Sequence, residues 1–259
     1  MKIAAFNVKK LGMEKVKKKT VMRHLTKIMS QYTVVVILEV VDKTGKAMEK
    51  LLQELNNTGN SSLMLVWGQS LGSTLMSYHM CTDCYQYEDN QVGDEDAFAR
   101  EPFVLRFSCP TTVVEDLVLI PVHTKPQDAQ KELDELHDVV NRVRKKWRTD
   151  NIMLLGDFNA DGHYLSKKKK DKIRICSAPY YWLIDDSVDT TSSNNNDNTY
   201  DRIVVYGETM RDAVVPGSAK PFNFQTEFGL TDKQALSVSD HYPVEVELQT
   251  VQTVSGHSS

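Results

Sequence analysis

No apolar run in this 259-residue chain approaches the roughly 20 residues that span a bilayer. A helical membrane protein is thereby excluded, and no membrane partner is expected. An excess of positive charge is missing as well. Lys and Arg number 31 against 35 Asp and Glu, a formal net charge of −4, so no global basic field would hold a polyanion. Any nucleic-acid contact must then rest on a local patch or a metal. Cysteine is scarce: Cys81, Cys84, Cys109 and Cys176 are the whole complement. The Cys81-Thr82-Asp83-Cys84 spacing is redox-like, but no second pair or His partner accompanies it. No charged segment followed by a short apolar one precedes the first strand-like run. As written, the chain reads as intracellular, in cytoplasm or nucleus, and as secreted only if a leader was removed. The sequons Asn56-Asn57-Thr58 and Asn60-Ser61-Ser62 matter only in the second case. No linker separates two globular units, so residues 1–249 read as one domain and 250–259 as a disordered tail.

What the chain does have is Gly156-Asp157-Phe158-Asn159-Ala160-Asp161, placed directly after the apolar run Ile152-Met153-Leu154-Leu155. Four apolar residues followed by Gly and alternating polar side chains predict a buried strand that ends by presenting chemistry. Strand side chains alternate, so Asp157 and Asn159 share a face. Hard oxygen ligands at a strand mouth suit Mg²⁺, which leaves its remaining sites to water and phosphate. Other apolar runs end in the same way. Phe6-Asn7-Val8, Ile37-Leu38-Glu39-Val40, Pro121-Val122-His123-Thr124, Thr199-Tyr200-Asp201-Arg202-Ile203 and Ser239-Asp240-His241-Tyr242-Pro243 each place an Asn, Asp, Glu or His at or near a strand end. Two histidines and several oxygen ligands so arranged predict a phosphodiesterase site.

Strands are predicted over Lys2–Val8, Thr33–Val40, Phe103–Phe107, Leu117–Val122, Ile152–Leu155, Arg202–Val205 and Val244–Leu248. Amphipathic helices are predicted over Val21–Ser30, Ala47–Leu55 and Asp128–Arg148. The last carries Leu133, Leu136, Val139, Val140 and Val143 on its inner stripe. Such a mixture suggests sheet packed on sheet with helices outside, an α/β fold. The polar stretch 192–198 reads as a mobile loop.

From Met1–Asn7 to Pro243–Leu248, and through Ala99-Arg100-Glu101-Pro102-Phe103 and Tyr200-Asp201-Arg202-Ile203, the chain resembles the deoxyribonuclease I family of the endonuclease/exonuclease/phosphatase superfamily. The resemblance implies a four-layer sandwich of two packed, mainly antiparallel β-sheets flanked by helices. It also implies divalent-metal-dependent endonuclease activity on double-stranded DNA, with 5′-phosphate products and little sequence specificity. Glu39 and Asp240, with Asn7, Asp157 and Asn159, would hold Mg²⁺ or Mn²⁺. His241, oriented by Asp201, would take a proton from the attacking water, and His123 would protonate the departing 3′-oxygen. Arg100 and Tyr164 match family contacts to the DNA backbone. Asp96 and Glu101 match one structural Ca²⁺ site, and Asp189 and Thr191 approximate another. The run Lys167–Lys170 adjoins the catalytic loop and could neutralise phosphates.

The sequence also departs from the family. The disulfide positions beside the catalytic loop look like Gly162 and Asn198 here, so both partners are gone. Val41 stands where the family inserts an arginine into the minor groove. The family's actin-binding loop reads Leu65-Val66-Trp67-Gly68-Gln69, and actin binding is not carried over; a monomer is expected. Above all, the interval from Leu71 to Tyr85 is short by about ten residues, one or two strands' worth. It lacks the glutamate that pairs with the second histidine. His123 is therefore expected to have neither its tautomer nor its imidazolium stabilised, and core strand pairing is expected to suffer. Two explanations stand: an error in the gene model, or a paralogue of reduced activity. The functional alternatives are a catalytically impaired binding protein and a phosphodiesterase acting on another phosphate substrate.

Overall fold

The central strands are apolar almost throughout because they are buried on both faces. Alternate residues belong to different cores. Ile3 and Ala5 of β1 (Lys2–Leu11), with Val34, Val36 and Leu38 of β2 (Val34–Val40), face a central core. Ala4, Phe6, Val8, Val35 and Ile37 face a second one, under α2 (Lys19–Met29) and α3 (Lys46–Asn56). The short α1 (Met13–Val16) precedes α2. In the other sheet, Leu117 and Leu119 of β7 (Asp116–His123) and Met153 and Leu155 of β8 (Ile152–Asp157) join the central core. Val118, Ile120, Ile152 and Leu154 face a third, under α4 (Ala129–Trp147). Each Leu or Val so buried contributes about 1.5–3 kcal/mol. Three apolar layers between four layers of structure are the predicted α/β sandwich.

The computed structural model describes residues 1–59, 63–69, 72–76, 81–89, 97–161 and 164–251. The remaining strands are β3 (Met64–Gln69), β4 (Gly72–Met76), β5 (Cys81–Gln86), β6 (Phe103–Ser108), β9 (Tyr180–Trp182), β10 (Asp201–Tyr206), β11 (Lys220–Pro221) and β12 (Val244–Glu247). One sheet runs β11-β12-β1-β2-β3-β4 and the other β5-β6-β7-β8-β10-β9. Three of the pairings among the described residues, β1–β2, β2–β3 and β7–β8, are parallel, and the rest are antiparallel. No helix is long and apolar enough to cross a membrane.

Several expectations change. Leu65–Gln69 is not a surface loop: it lies in β3, with Leu65, Val66 and Trp67 buried. The short interval removes no central strand, because β4 and β5 occupy the outer edge of one sheet each. An edge strand has one partner, so shortening there spares the pairings beneath the site. Thr250 and Val251, expected in the tail, are held: Thr250 bridges Thr112 and the Val251 amide donates to the Thr111 carbonyl. Residues 252–259 lie outside the described part. The stretch after Thr191 is anchored: Ser192 is buried and donates to the Ser239 carbonyl. All four cysteines are free, and burial pushes the Cys81, Cys109 and Cys176 thiols up to about 11, which argues against redox work. Gly162, one of the two former disulfide positions, lies outside the described residues.

Gly156 is a tight point of the frame. Its φ of 140° is closed to other residues, and a Cβ there would lie 2.1 Å from the Val122 carbonyl oxygen. Gly156→Ala should push β8 from β7 and cost about 2–5 kcal/mol, read as the urea midpoint by circular dichroism. Gly45→Ala, with φ 75° but open space around it, should cost clearly less.

Candidate active site

Three adjacent strands of one sheet put three functional groups side by side. The parallel register pairs His123 of β7 with Asp157 of β8, and the antiparallel register pairs Asp157 with Asp201 of β10. The other sheet contributes Asn7 of β1 and Glu39 of β2. Asp240 and His241 arrive on the segment leading into β12. The eight residues predicted as catalytic or metal-holding are thus gathered at one end of the sandwich.

Asn7 joins the two sheets. Its side-chain amide donates to Glu39 Oε1 at 3.0 Å and to Asp157 Oδ2 at 3.1 Å. Its own carbonyl oxygen accepts from the Lys9 amide at 3.0 Å, and the Lys10 amide donates to Glu39 Oε2 at 3.1 Å. These amides point inward because β1 bulges after Asn7: Lys9 and Lys10 have φ of 43° and 54°, and Glu39 has 58°. Three consecutive-strand residues in the left-handed region mark strain held by the surrounding packing. Lys15 anchors the bulge by donating to the carbonyls of Val8, Lys9 and Val238 at 2.6, 2.6 and 2.8 Å. Burial lowers its pKa to about 8. The Lys9 ammonium pairs with Asp240.

Asp157 sits between the histidines. His123 Nε2 and His241 Nε2 each lie 3.9 Å from Asp157 Oδ2. His123 Nε2 is also 4.0 Å from Glu39, and His241 Nε2 is 3.9 Å from Asp240. The Asn159 amide donates to Asp157 Oδ1 at 3.1 Å, and the Asn159 side-chain NH₂ donates to the Thr124 carbonyl at 3.1 Å. That bond commits the amide nitrogen and leaves the Asn159 carbonyl oxygen as the acceptor.

His241 Nδ1 is 2.7 Å from Asp201 Oδ2. Asp201 is buried, as is Thr190, whose hydroxyl accepts from the Asp201 amide at 3.1 Å. Next in the chain, buried Arg202 donates to the carbonyls of Thr199 and Ile184 at 2.8 and 3.0 Å. Burial raises the Asp157 and Asp201 pKa values, and the neighbouring Asp201 charge adds to the rise at Asp157. For His241, burial works downward but is outweighed by the charge and hydrogen bond of Asp201, then by Asp157 and Asp240. Its pKa is lifted to about 10. For His123 burial wins, aided by the Arg100 charge, and the pKa falls below its ordinary value. The two histidines are therefore electrostatically unlike: one imidazolium, one neutral ring.

The neighbour of His123 Nδ1 is Arg100, whose Nη1 lies 3.5 Å away, and no carboxylate accompanies it among the described residues. The Arg100 charge, at the outer limit of hydrogen-bonding distance, opposes an imidazolium at His123 instead of supporting one.

Asp157, Asp201 and His241 offer ligand atoms within 4.8 Å of one another. The short His241–Asp201 contact is a hydrogen bond that a metal would have to break, so this trio reads better as a proton relay. Glu39 and Asp240, predicted to hold the metal with Asp157, do not join it in such a group among the described residues, though carboxylate oxygens of this kind suit a hard divalent cation. The Asn7 amide, in this orientation, holds the carboxylates together instead of presenting its oxygen.

The peripheral residues divide. Tyr164, 36% exposed, packs tilted against Tyr200 at 5.7 Å, and Tyr200 lies 6.3 Å from the His241 ring. Thr191 bridges His241 through the backbone and donates to Asp189 at 2.6 Å, so the second predicted calcium pair lies behind the relay. Glu101 is exposed and accepts from Gln86 at 3.4 Å. Its predicted partner Asp96 lies outside the described residues. In the lysine run, Lys170 is paired with Asp186 and lies over the Trp182 ring. Val41 is exposed at 57%. Sequence reasoning missed Lys9, Lys15 and Thr190. Only the turn chemistry of the bulge hinted at the first two.

An α/β sandwich with two histidines and clustered carboxylates at one end of its paired sheets is a phosphoester-hydrolase architecture. The chain belongs to the Endonuclease/Exonuclease/phosphatase family, whose model matches residues 4–241. Within it, the chain is a member of the deoxyribonuclease I family. It is 41% identical over 260 residues to rabbit (Oryctolagus cuniculus) deoxyribonuclease-1, covering 96% of this chain and 92% of that one. It is 40% identical over 265 residues to human deoxyribonuclease-1-like 1, covering 98% and 86%. Among solved structures, a humanized D. rerio TDP2 shares the fold with a TM-score of 0.61 at 14% identity, covering 95% and 97%. The human Nocturnin catalytic domain does so at 0.62 and 12%, covering 97% and 94%.

His241 carries a pKa raised above the ordinary 6.5. The stabilisation from its pair with Asp201 is therefore complete below about 6.5 and lost as pH climbs through about 10. Asp201→Asn should bring the His241 titration, followed by NMR in metal-free protein, well below 10. It should also lower turnover by up to about 10⁴-fold.

Proposed function

We propose that this nuclease-family hydrolase cleaves double-stranded DNA as a divalent-metal-dependent endonuclease, leaving 5′-phosphate ends with little sequence preference. The observation that carries the reading is the pair of imidazole Nε2 atoms on either side of Asp157, each 3.9 Å from its Oδ2. Two unlike histidines facing one another are suited to in-line displacement, one group handling the attacking water and the other the departing oxygen. Mg²⁺ or Mn²⁺, when bound, would supply positive charge to polarise the phosphate. Glu39, Asp157 and Asp240, with Asn159 and Asn7 beside them, are the residues that would hold it. His241 can act as a base once the carboxylate charge around it is neutralised, because that charge is what lifts its pKa. Asp201 then keeps the ring in position and stabilises the imidazolium that forms. Arg100 and Tyr164 flank the cleft and would contact the DNA backbone. Ca²⁺ would play a structural part at Asp189 and Thr191, stiffening the loop whose Thr190 holds Asp201. Asp96 and Glu101 would form the other such site.

Burial and the Arg100 charge hold the His123 pKa down, and no carboxylate stands at its Nδ1 among the described residues, so activity is weakened at the leaving-group step. Robust cleavage of plasmid DNA in excess EDTA, or equal activity in Asp157→Ala, would refute the metal-dependent reading. The leaving-group claim has its own test. A phosphodiester with a good leaving group needs no proton from His123, so it should be hydrolysed well relative to DNA, and His123→Ala should cost little on either substrate. If His123→Ala abolishes DNA cleavage as fully as His241→Ala, the histidine is a competent acid after all.

A further inference from the structure

The chain's charge is unevenly divided. Residues 1–27 carry nine Lys and Arg against one acidic residue, Glu14, whereas residues 28–259 carry 22 against 34. A local charge of +8 therefore stands beside −12 on the rest of the chain. The fold lays this excess along one path. Lys9 and Lys10 are exposed at the bulge that holds Glu39 and Asp240. Lys15 ties α1 to that bulge through three carbonyls. Exposed Lys17, Lys18 and Lys19 follow. Because β1 and β2 are parallel, α2 between them runs back from the catalytic end. Its exposed Lys19, Arg23 and Lys27 are four residues apart and line one side, over about 12 Å. Arg23 and Lys27 border a cleft of about 530 Å³ against Phe228, over which Lys27 lies at 5.6 Å.

These cations are poorly placed for the stability of the helix. Lys18 is the N-cap of α2, no side chain caps that terminus, and the first turn has no acidic residue. The N-terminal end of a helix carries partial positive charge and disfavours lysine. Among the described residues, Lys10, Lys18, Lys19, Arg23 and Lys27 form no ion pair with a carboxylate, so their charge is available. We infer that the strip from Lys10 along Lys18, Lys19, Arg23 and Lys27 is a second DNA-binding surface, holding the phosphate backbone of a duplex where it leaves the cleavage cleft. The occupant is a polyanion continuous with the substrate, because the strip starts at the catalytic bulge. It spans about three or four base steps at 3.4 Å per step. The inference rests on the nuclease reading above.

The test uses the full chain with Lys18→Gln, Lys19→Gln, Arg23→Gln and Lys27→Gln combined. Binding to a long duplex is measured in EDTA across a salt series. Cleavage is measured with Mg²⁺ on the same duplex and on a small aryl phosphodiester, which reports on the catalytic cluster alone. The slope of log affinity against log salt should flatten by up to about 0.9 per lost phosphate contact. KM for long DNA should rise at least about 10-fold while turnover of the small diester stays at the parent value. Arg23→Gln with Lys27→Gln, which leaves the helix start untouched, should give about half the change in slope if the combined variant folds poorly. An unchanged salt slope and KM would overturn the inference while leaving DNA cleavage by the parent chain intact. Loss of binding to phosphatidylserine vesicles with DNA binding preserved would overturn it too, and assign the strip to a lipid surface. A parent chain that hydrolyses the small diester but neither binds nor cuts duplex DNA would instead sink the nuclease reading itself.

Discussion

A single side-chain amide reaches from one sheet of this protein to carboxylates of both at their functional end. Asn7 leaves β1 and donates to a carboxylate from its own sheet, Glu39, and to one from the facing sheet, Asp157. Without that bridge, two negative groups would approach each other across the top of an apolar core with nothing between them. Their repulsion would be strong at low local dielectric. The amide is itself held by the bulge after it, whose backbone N–H groups complete the hydrogen bonding of Asn7 and Glu39. Strain at Lys9, Lys10 and Glu39 is the conformational cost of turning those amides inward.

Around the bridge, the arrangement is a balance of charge more than of shape. Asp157, Asp201, Glu39 and Asp240 crowd a small volume, two of them buried. Lys9 and the His241 imidazolium offset part of that charge, and the remainder favours a divalent cation. Asp201 can stay buried beside His241 because its backbone is fixed by Thr190 and by the interior Arg202, whose guanidinium stitches Thr199 and Ile184 together. The relay is therefore supported from below by groups that touch no substrate.

Beside His123 Nδ1 stands a guanidinium. A carboxylate at that position would stabilise the charged ring, whereas burial and the Arg100 charge lower the His123 pKa. The interval 71–85 falls at the edges of the two sheets, in β4 and β5, and the pairings beneath the site do not depend on it.

Much of the fold was legible in the sequence because burial on both faces makes a strand read as an unbroken apolar run. Val34–Val40, Ile152–Asp157 and the inner stripe of α4 announce themselves in this way. The site was legible for a related reason: each of its polar residues interrupts or ends such a run, so Asn7, Glu39, His123, Asp157, Asp201 and His241 stand out one by one. Less visible were β3, whose Leu65–Gln69 matches a family loop, and the edge strands β5 and β9, whose polar or aromatic composition carries no period strong enough to separate strand from loop. What sequence could not decide was which group neighbours which across the chain. The Asn7–Asp157 bond spans 150 residues, and Arg100 reaches His123 from a different segment. Hydrogen-bond partners, the opposite pKa shifts of the two histidines and the cationic path from the bulge along α2 depend on distances in space, and only the packing of one sheet on the other sets those.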